Sequence, residues 1–424
     1  MDIKVSVIIP TYNMYDSILI SLKSALEQTL KPIEIIIVDD GSDDETQEVV
    51  QEYASPLVRV LYQDNRGAGS ARNNGIRHAQ GKYVFFMDAD DRFPTRDCLE
   101  VLYYFAELNA VNICGGLLIY NIEGVMSMTE AEKHLKDRYF TDKIVKIVDY
   151  DYIYGNQRFL FLRKFLVDNN LMYPSYRRFE DPVFAVRALC CAGSFFGVSK
   201  IVYEHRWGYK KIKFTLEMTR DILRGIRDVF CMAENFNLDN MYEYCLKYIM
   251  KPNRIYTYKY SFCGYPDIDD IIYEINNIIY RWKGNKDCNA LRENDVISYK
   301  EKYVNQYKNL IKTLEENSSI IVYGAGYCAE KFFELFRRYL KHVVGVAVTA
   351  KDKDLFIAGM SVHEIGEFLD YKENTLILIV TSQLYQKEIY DNLHRLGFKN
   401  VENVDVNYDN LSIAAELIFD RNDV

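Results

Sequence analysis

Acidic side chains gather at three places in this 424-residue chain in patterns suited to chemistry. "MDADD" places Asp88, Asp90 and Asp91 directly behind an apolar run, and "VDDGS" does the same for Asp39 and Asp40. Glu180 and Asp181 stand side by side in "RRFEDPVFAVRAL". Two carboxylates one residue apart can hold Mg2+ or Mn2+, hard cations that take oxygen ligands and bridge phosphates. A carboxylate can also accept hydrogen bonds from a base N–H or ribose hydroxyls, and an acidic pair can supply a general base for a hydroxyl proton. Two further blocks keep them company. "PTYN" covers Pro10, Thr11, Tyr12 and Asn13, and "NRGAGSARNNG" runs from Asn65 to Gly75. Its small residues allow close backbone approach to phosphates, and Arg72 offers a guanidinium for bidentate contact.

The elements that must position these groups are legible as well. "VSVIIP" and "IEIIIVDD" are short continuous apolar runs, as expected of strands buried on both faces of a mostly parallel sheet. Between them "DSILISLKSALEQT" repeats apolar residues at helical spacing, and "SDDETQEVVQEYA" opens with the Ser and acidic residues that favour a helix start. "VRVLYQD" and "KYVFFMDADD" repeat the strand-then-polar-loop pattern. Alternation of this kind, from Lys4 to about Val202, predicts a doubly wound α/β domain with its site at the carboxyl ends of the strands.

Successive strand ends point the same way, so all four N-terminal blocks are expected along one rim. Together they are the groups a nucleotide-sugar site needs: acceptors for base and ribose, a metal carboxylate, and a guanidinium and metal to stabilise charge on a departing diphosphate. In order and spacing, "VSVIIPTYN", "IIIVDDGSDDET", "NRGAGSARNNGI" and "GKYVFFMDADD" resemble the inverting family-2 glycosyltransferases of the GT-A fold, over residues 1 to about 205. Asp-x-Asp alone is a weak signal, but four ordered blocks are a strong one. The resemblance implies that Pro10, Thr11, Tyr12, Asn13 and Asp40, with Asp39, hold the base and ribose. It also implies that Arg72 lies near the nucleotide, that Asp88 touches the nucleoside and that Asp90 ligates the metal. Asp39 could instead orient its loop, Asp91 could cap the following helix, and Gly67, Gly69 and Gly75 could serve turn geometry alone.

An inverting transfer also needs a base on the acceptor side. The family carries a Glu-Asp pair in this setting whose Asp acts as base, which implies Asp181 as base, with Glu180 orienting the acceptor or a nearby loop. The competing reading is an N-cap Asp with Pro at the first helical position, and both can hold at once. Proline directly after the pair departs from the usual pattern. Downstream, "YEHRWGYKK" offers His205 as a metal ligand or a packing histidine, and Trp207 as a sugar-stacking ring or a domain anchor.

From about Gly208 to Asn317 strand signals give way to amphipathic helical stretches, with "KPNR" and "CGYPDIDD" as turns. From Ser318 a second alternating unit begins. Three regions are therefore expected: a transferase domain over 1–207, a helical connector or accessory domain over 208–317 and a small Rossmann-like domain over 318–424. In the last, "SIIVYGAGYCAEKFF" places Gly324 at a tight turn and Gly326 at a phosphate approach, the context of a dinucleotide loop. The next strand ends in Val348-Thr349 with no acidic residue at its tip for a ribose hydroxyl. The region resembles small Rossmann-like modules found beside bacterial polysaccharide-synthesis enzymes, and a structural or oligomerising role competes with a second nucleotide loop.

Composition narrows the rest. A net charge of −9 argues against nucleic acid as a partner. The 35 tyrosines suit carbohydrate stacking or aromatic cores. Nine cysteines without Cys-x-x-Cys indicate neither a disulfide framework nor a zinc site and fit a reducing cytosol. The N-terminus has no signal-peptide order and no run of about 18 apolar residues occurs, so a cytoplasmic protein is expected, free or peripheral at the inner face of the cell membrane. The leading expectation is an Mg2+- or Mn2+-dependent inverting transferase in surface polysaccharide, lipopolysaccharide or capsule synthesis. It would use a nucleotide-sugar donor, UDP-linked by family habit, and a saccharide or lipid-linked saccharide acceptor. Homo-oligomers through the C-terminal or helical domain are compatible with this reading. The alternatives are a nucleotide-dependent oxidoreductase built on the C-terminal loop and a non-catalytic scaffold.

Overall fold

A computed structural model describes residues 2–122, 124–207, 215–246, 260–261, 264–282, 293–350, 355–381, 383–404 and 415. The chain divides into two compact units, Met1–Lys251 with Cys263–Leu291 and Pro252–Phe262 with Arg292–Val424. The expected helical middle region is thus shared between them rather than standing apart. "KPNR" lies outside the described residues.

The first unit opens with β1 (Val5–Thr11), α1 (Ile18–Leu26), β2 (Ile33–Asp39), α2 (Thr46–Gln51), β3 (Val58–Tyr62), α3 (Ala68–His78) and β4 (Tyr83–Phe86). β1 and β2 are buried at every position, which is why their sequences show no polar alternation. Then follow α4 (Cys98–Leu108), β5 (Ile113–Ile122), β6 (Val125–Ser127), α5 (Glu130–Arg138), β7 (Lys143–Lys146), β8 (Phe159–Leu162), α6 (Arg163–Asp168), α7 (Glu180–Ala192), β9 (Ser194–Trp207) and α8 (Leu216–Phe236). The sheet runs β3-β2-β1-β4-β8-β5-β9-β7, with β6 paired to β5. The first four strands are parallel, whereas β8 runs against both of its neighbours, β4 and β5. Strands β1, β2 and β4 thus end on one edge, where the polar blocks follow.

Glycines inside α3 act through packing, not turns. A Cβ on Gly75 would stand 2.4 Å from Ile8 Cγ2, and one on Gly69 would press on Glu180 and Tyr173. Of Gly67, Gly69 and Gly75, Gly67 is the one at a positive φ, +90, just before the helix. The helix thereby lies close enough to β1 to bring Arg72 under the strand tips.

Helix α8 packs against a helix over Pro266–Arg281. Arg220 pairs with Asp267, Arg227 with Glu274 and Glu234 with Arg281, each pair 47 positions apart in the chain. A constant offset makes the two helices parallel, and the seven-residue interval is that of a coiled-coil seam. Ile222, Ile226 and Val229 on one side and Ile268, Ile271, Ile272 and Ile275 on the other are buried.

The second unit has β10 (Ile320–Tyr323), β11 (Val343–Val348), β12 (Phe356–Ile357), β13 (Met360–Glu364), β14 (Leu376–Ile379) and β15 (Asn400–Asn403). They form a sheet ordered β12-β13-β11-β10-β14-β15, parallel except for the β12–β13 hairpin. The helix over Glu293–Glu316 adds Tyr303, Tyr307 and Leu314 to this core. Gly397 closes the helix over Gln383–Arg395 at φ +91, the left-handed stop its sequence predicts. Among the described residues no helix is long and apolar enough to cross a membrane.

Candidate active site

Arg72, on the second turn of α3, is buried and joins the carboxylate clusters that the sequence kept apart. Its Nη2 donates to Asp88 Oδ1 at 2.7 Å, while Nη1 lies 2.8 Å from Asp181 Oδ1 and 3.3 Å from Glu180 Oε1. Its guanidinium stacks over the Tyr173 ring at 5.2 Å, and that ring lies flat on Phe184 of α7. Asn73 holds Tyr173 in place by pairing with its backbone in both directions. Three carboxylates thus face one guanidinium, leaving negative charge in excess in a buried setting.

The excess shows in the proton affinities. Burial raises Asp181, and although Arg72 opposes it, Glu180 and Asp88 help push its pKa up to about 8. Glu180 is raised too, chiefly by burial. For Asp88 burial works the same way, but the Arg72 ion pair outweighs it and holds the group below its ordinary value. Among the described residues, the polar partners of the Asp181 carboxylate meet it at Oδ1, which takes Arg72 and Asn156 Nδ2. Oδ2 takes no hydrogen bond from a described residue.

Asn156 and Gln157 have no counterpart among the residues expected from sequence. Asn156 Nδ2 bridges the Tyr173 hydroxyl and Asp181 Oδ1, and Gln157 Nε2 donates to Asp88 Oδ2. Their short loop is anchored by Arg158, whose guanidinium makes a fully buried bidentate pair with Glu132. "YGNQRF" carries no strand-tip or helix-start signal, so nothing local marks these residues.

The capping alternatives do not hold. Helix α7 has Phe179 as its N-cap, with Glu180 and Asp181 in its first turn, where the helix dipole favours negative charge. Asp91 caps nothing. It is buried and accepts from the Tyr203 hydroxyl, His205 Nδ1 and the Arg206 amide, tying the "MDADD" loop to β9.

The two acids of "VDDGS" divide the work. Asp40 accepts from the amides of Arg66 and Gly67 and from Gln63 Nε2, so both its oxygens hold the loop that enters α3. Asp39 spends only Oδ1 on the turn, on Gly41, Ser42 and Gln47. Its Oδ2 is buried without a partner, as is Oγ1 of Thr11, its neighbour in register on β1. Two orphaned polar atoms side by side at the strand tips are a cradle for a polar ring edge. Pro10 pairs in register with Val38 inside the sheet. Tyr12 is exposed beside this cradle, and Asn13, at φ +51, clips Asp43 and Ser42.

Asp90 and His205 occupy the same rim. Burial works to lower the His205 pKa, but its hydrogen bond to Asp91 and the nearby Asp88 and Asp90 charges leave it raised. Among the described residues no group of three or more His, Cys, Asp or Glu side chains is disposed to hold a metal ion. The donor set nevertheless fits one bound together with a diphosphate. Asp88 bonds Arg72 and Gln157, Asp91 bonds His205 Nδ1, and the Asp90 carboxylate and the His205 imidazole are of the donor types such a cation takes.

In the second unit, Gly324 stands at φ +138, and a Cβ there would lie 2.4 Å from the Val380 carbonyl. Gly326 caps the helix over Tyr327–Phe336. At the tip of β11, Thr349 bonds the Tyr323 hydroxyl in the place where a dinucleotide fold carries its acid.

Comparison with known proteins agrees with the first unit. Residues 6–200 match the model of glycosyl transferase family 2. The uncharacterized glycosyltransferase EpsJ of Bacillus subtilis is 34% identical over 191 residues, 43% of this chain and 55% of its own length. The cholesterol galactosyltransferase of Borreliella burgdorferi is 39% identical over 120 residues, 28% of this chain and 33% of that protein. The chain thus spans about half the length of the first of these relatives and a third of the second. S. aureus TarS 1–349 in complex with UDP-GlcNAc superposes with a TM-score of 0.53 at 21% identity, covering 73% of this chain and 88% of that one. The sheet, the four rim blocks and the match over 6–200 make the N-terminal unit a glycosyl transferase family 2 domain of the GT-A fold.

Proposed function

We propose that the protein is an inverting glycosyltransferase that moves a sugar from a nucleoside-diphosphate donor to an acceptor hydroxyl with Asp181 as general base. The observation that carries this reading is Arg72, whose two terminal nitrogens join Asp88 on the donor side to Asp181 on the acceptor side. The donor base would sit against Thr11 Oγ1 and Asp39 Oδ2, atoms that a uracil edge would satisfy. UDP-GlcNAc is bound by the TarS structure of like fold, and a UDP-sugar is the donor class proposed here.

The step is one displacement. The acceptor oxygen forms a bond to the anomeric carbon as the bond to the diphosphate breaks, and the electron pair leaves with the diphosphate. The acceptor proton passes to Asp181 Oδ2, while Arg72 and Asn156 keep Oδ1 fixed. A divalent cation held by Asp90 and His205 would neutralise charge on the leaving diphosphate. Glu180, which shares Arg72 Nη1 with Asp181, orients the acceptor. The acceptor class proposed is a saccharide or lipid-linked saccharide of a surface polysaccharide.

UDP release from a panel of UDP-sugars with Mn2+ tests the reading. Release that depends on the cation and disappears in Asp90→Ala and Asp181→Asn is expected. Undiminished release in Asp181→Asn would overturn the assignment of the base.

A further inference from the structure

Helix α8 shows one face to the chain that leads into the base. Asp221, Gly225 and Asp228 follow the i, i+4, i+7 spacing that lines up side chains on a helix. Asp228 Oδ2 accepts from the Tyr176 hydroxyl at 2.8 Å, and Asp221 Oδ2 accepts from the Arg177 amide at 2.9 Å. Gly225 provides a slot. A Cβ at this position would lie 2.7 Å from Phe179 Cδ1 and 3.2 Å from Phe179 Cβ. The three contacts thus grip Tyr176, Arg177 and Phe179, three of the four residues immediately before Glu180 and Asp181.

Phe179 is the unusual member. It is a bulky residue at φ 69 and ψ 14, in the left-handed region that such residues avoid unless their surroundings hold them there. Its ring rests in the Gly225 slot and meets Tyr154 edge-on at 6.2 Å. Tyr154 lies two residues before Asn156, which bonds Asp181. The left-handed turn at Phe179 lets α7 begin with Glu180 and Asp181 in its first turn, against Arg72. Behind α8, the seven-residue ladder of ion pairs to the Pro266–Arg281 helix fixes its position along its own axis.

We infer that α8 is a positioning element for the general base, acting through the Phe179 backbone; this rests on the reading of Asp181 as that base. Asp221, Gly225 and Asp228 meet Tyr176, Arg177 and Phe179, ahead of the acidic pair itself. Their role is to set the direction in which Asp181 Oδ2 meets the acceptor. Enlarging residue 225 pushes Phe179 out of its slot and turns the first turn of α7 away from Arg72. Glycine at 179 adopts the left-handed conformation without a ring to hold it there, whereas alanine at 179 loses the ring and still disfavours that conformation.

The test compares UDP release from UDP-GlcNAc, UDP-glucose and UDP-galactose with Mn2+ in Gly225→Ala, Phe179→Ala, Phe179→Gly and the Gly225→Ala/Phe179→Gly double variant. Each is assayed well below its own melting temperature, with Asp181→Asn alongside. A displaced base costs about a hundredfold in kcat, with donor KM unchanged, in Gly225→Ala and Phe179→Ala. Phe179→Gly keeps most of the activity, and the double variant regains most of what Gly225→Ala loses. Equal losses in Phe179→Ala and Phe179→Gly, or a double variant no better than Gly225→Ala, overturn the inference while an inactive Asp181→Asn leaves the base assignment standing. Wild-type turnover that persists in Asp181→Asn, or no release from any of the three sugars by the wild type, overturns both.

Discussion

Arg72 Nη1 lies 2.8 Å from Asp181 Oδ1, and the two residues are brought together from distant parts of the chain, one on α3 and the other in the first turn of α7. The contact has two consequences. It fixes the carboxylate by one oxygen and leaves the other for a proton. It also divides a single positive charge among three carboxylates, too little to offset burial and the neighbouring Glu180 and Asp88, so Asp181 holds its proton far above the ordinary carboxylate range.

That proton sets a pH dependence. The ordinary Asp pKa is about 3.9, and the folded value is raised to about 8. A carboxyl raised on folding is favoured while neutral, so its contribution to stability is lost as pH rises between these two values. With Asp181 as the proposed base, turnover runs the other way, because only the ionised form accepts the acceptor proton. kcat/KM for UDP release is expected to climb through pH 8. Asp181→Asn should cut kcat by about 100- to 10,000-fold yet raise the melting temperature at pH 8, since the amide removes a disfavoured buried charge. A pH–rate profile flat from pH 6 to 9, or a melting temperature lowered by the substitution, would count against this account.

Removing Arg72 works in the opposite sense. Its side chain is buried between Asp88, Glu180 and Asp181. Arg72→Ala leaves three carboxylates facing one another, and breaking a buried pair in this way costs about 3–5 kcal/mol. Lysine does not restore the site, because one ammonium cannot present two separate nitrogens to Asp88 and Asp181. Urea unfolding of Arg72→Ala and Arg72→Lys is expected to show the loss in both at pH 8, and a smaller one at pH 5, where Asp181 is protonated. Equal losses at the two pH values would refute the shared-charge picture.

Much of this site is readable from the chain because strand ends do not wander. The apolar runs of β1 and β2 are buried at every position, so the polar residues that follow them, Thr11 and Asp39, must fall on one edge. What cannot be read is any role fixed by a distant partner. Asp91 looks like a helix cap until β9 arrives more than a hundred residues later with Tyr203, His205 and Arg206. Asp39 and Asp40 are alike in sequence, and only the amides of Arg66 and Gly67 decide which one is consumed by the loop. Asn156 carries no pattern, since its importance comes from Arg158 and Glu132 beneath it. The left-handed Phe179 defies its own propensity and depends on Gly225 for space.

The division of labour between Asp39 and Asp40 can be measured directly. Asp40→Asn exchanges one loop acceptor for a donor that faces the Arg66 and Gly67 amides or Gln63. It is expected to lower the melting temperature. Asp39→Asn can keep its carbonyl on the Gly41 and Ser42 amides, which turns an N–H2 toward Thr11 and the proposed uracil edge. Two donors then meet, and UDP binding by calorimetry should weaken by about 10- to 100-fold with little change in stability. The reverse assignment, with Asp40→Asn weakening UDP and Asp39→Asn unfolding the loop, would displace Asp39 from the base.

The glycines of the second unit separate a demand of the fold from a demand of a ligand. Gly324 is required by the chain itself, because φ +138 is closed to side chains and a Cβ would strike the Val380 carbonyl at 2.4 Å. Gly326 sits at φ −102, and a methyl group added there would meet nothing within 4 Å. Gly324→Ala is therefore expected to destabilise the protein by several kcal/mol, more than the roughly 1–3 kcal/mol of ordinary backbone strain, since backbone must shift as well. Gly326→Ala should change stability by about 0.5 kcal/mol or less. If the loop serves only its own fold, Gly326→Ala is silent in UDP release too, and thermal shifts with NAD or NADP are absent in both wild type and variant. A thermal shift by either dinucleotide that Gly326→Ala abolishes would show that the glycine is kept for a phosphate, despite Thr349 standing where the ribose acid belongs.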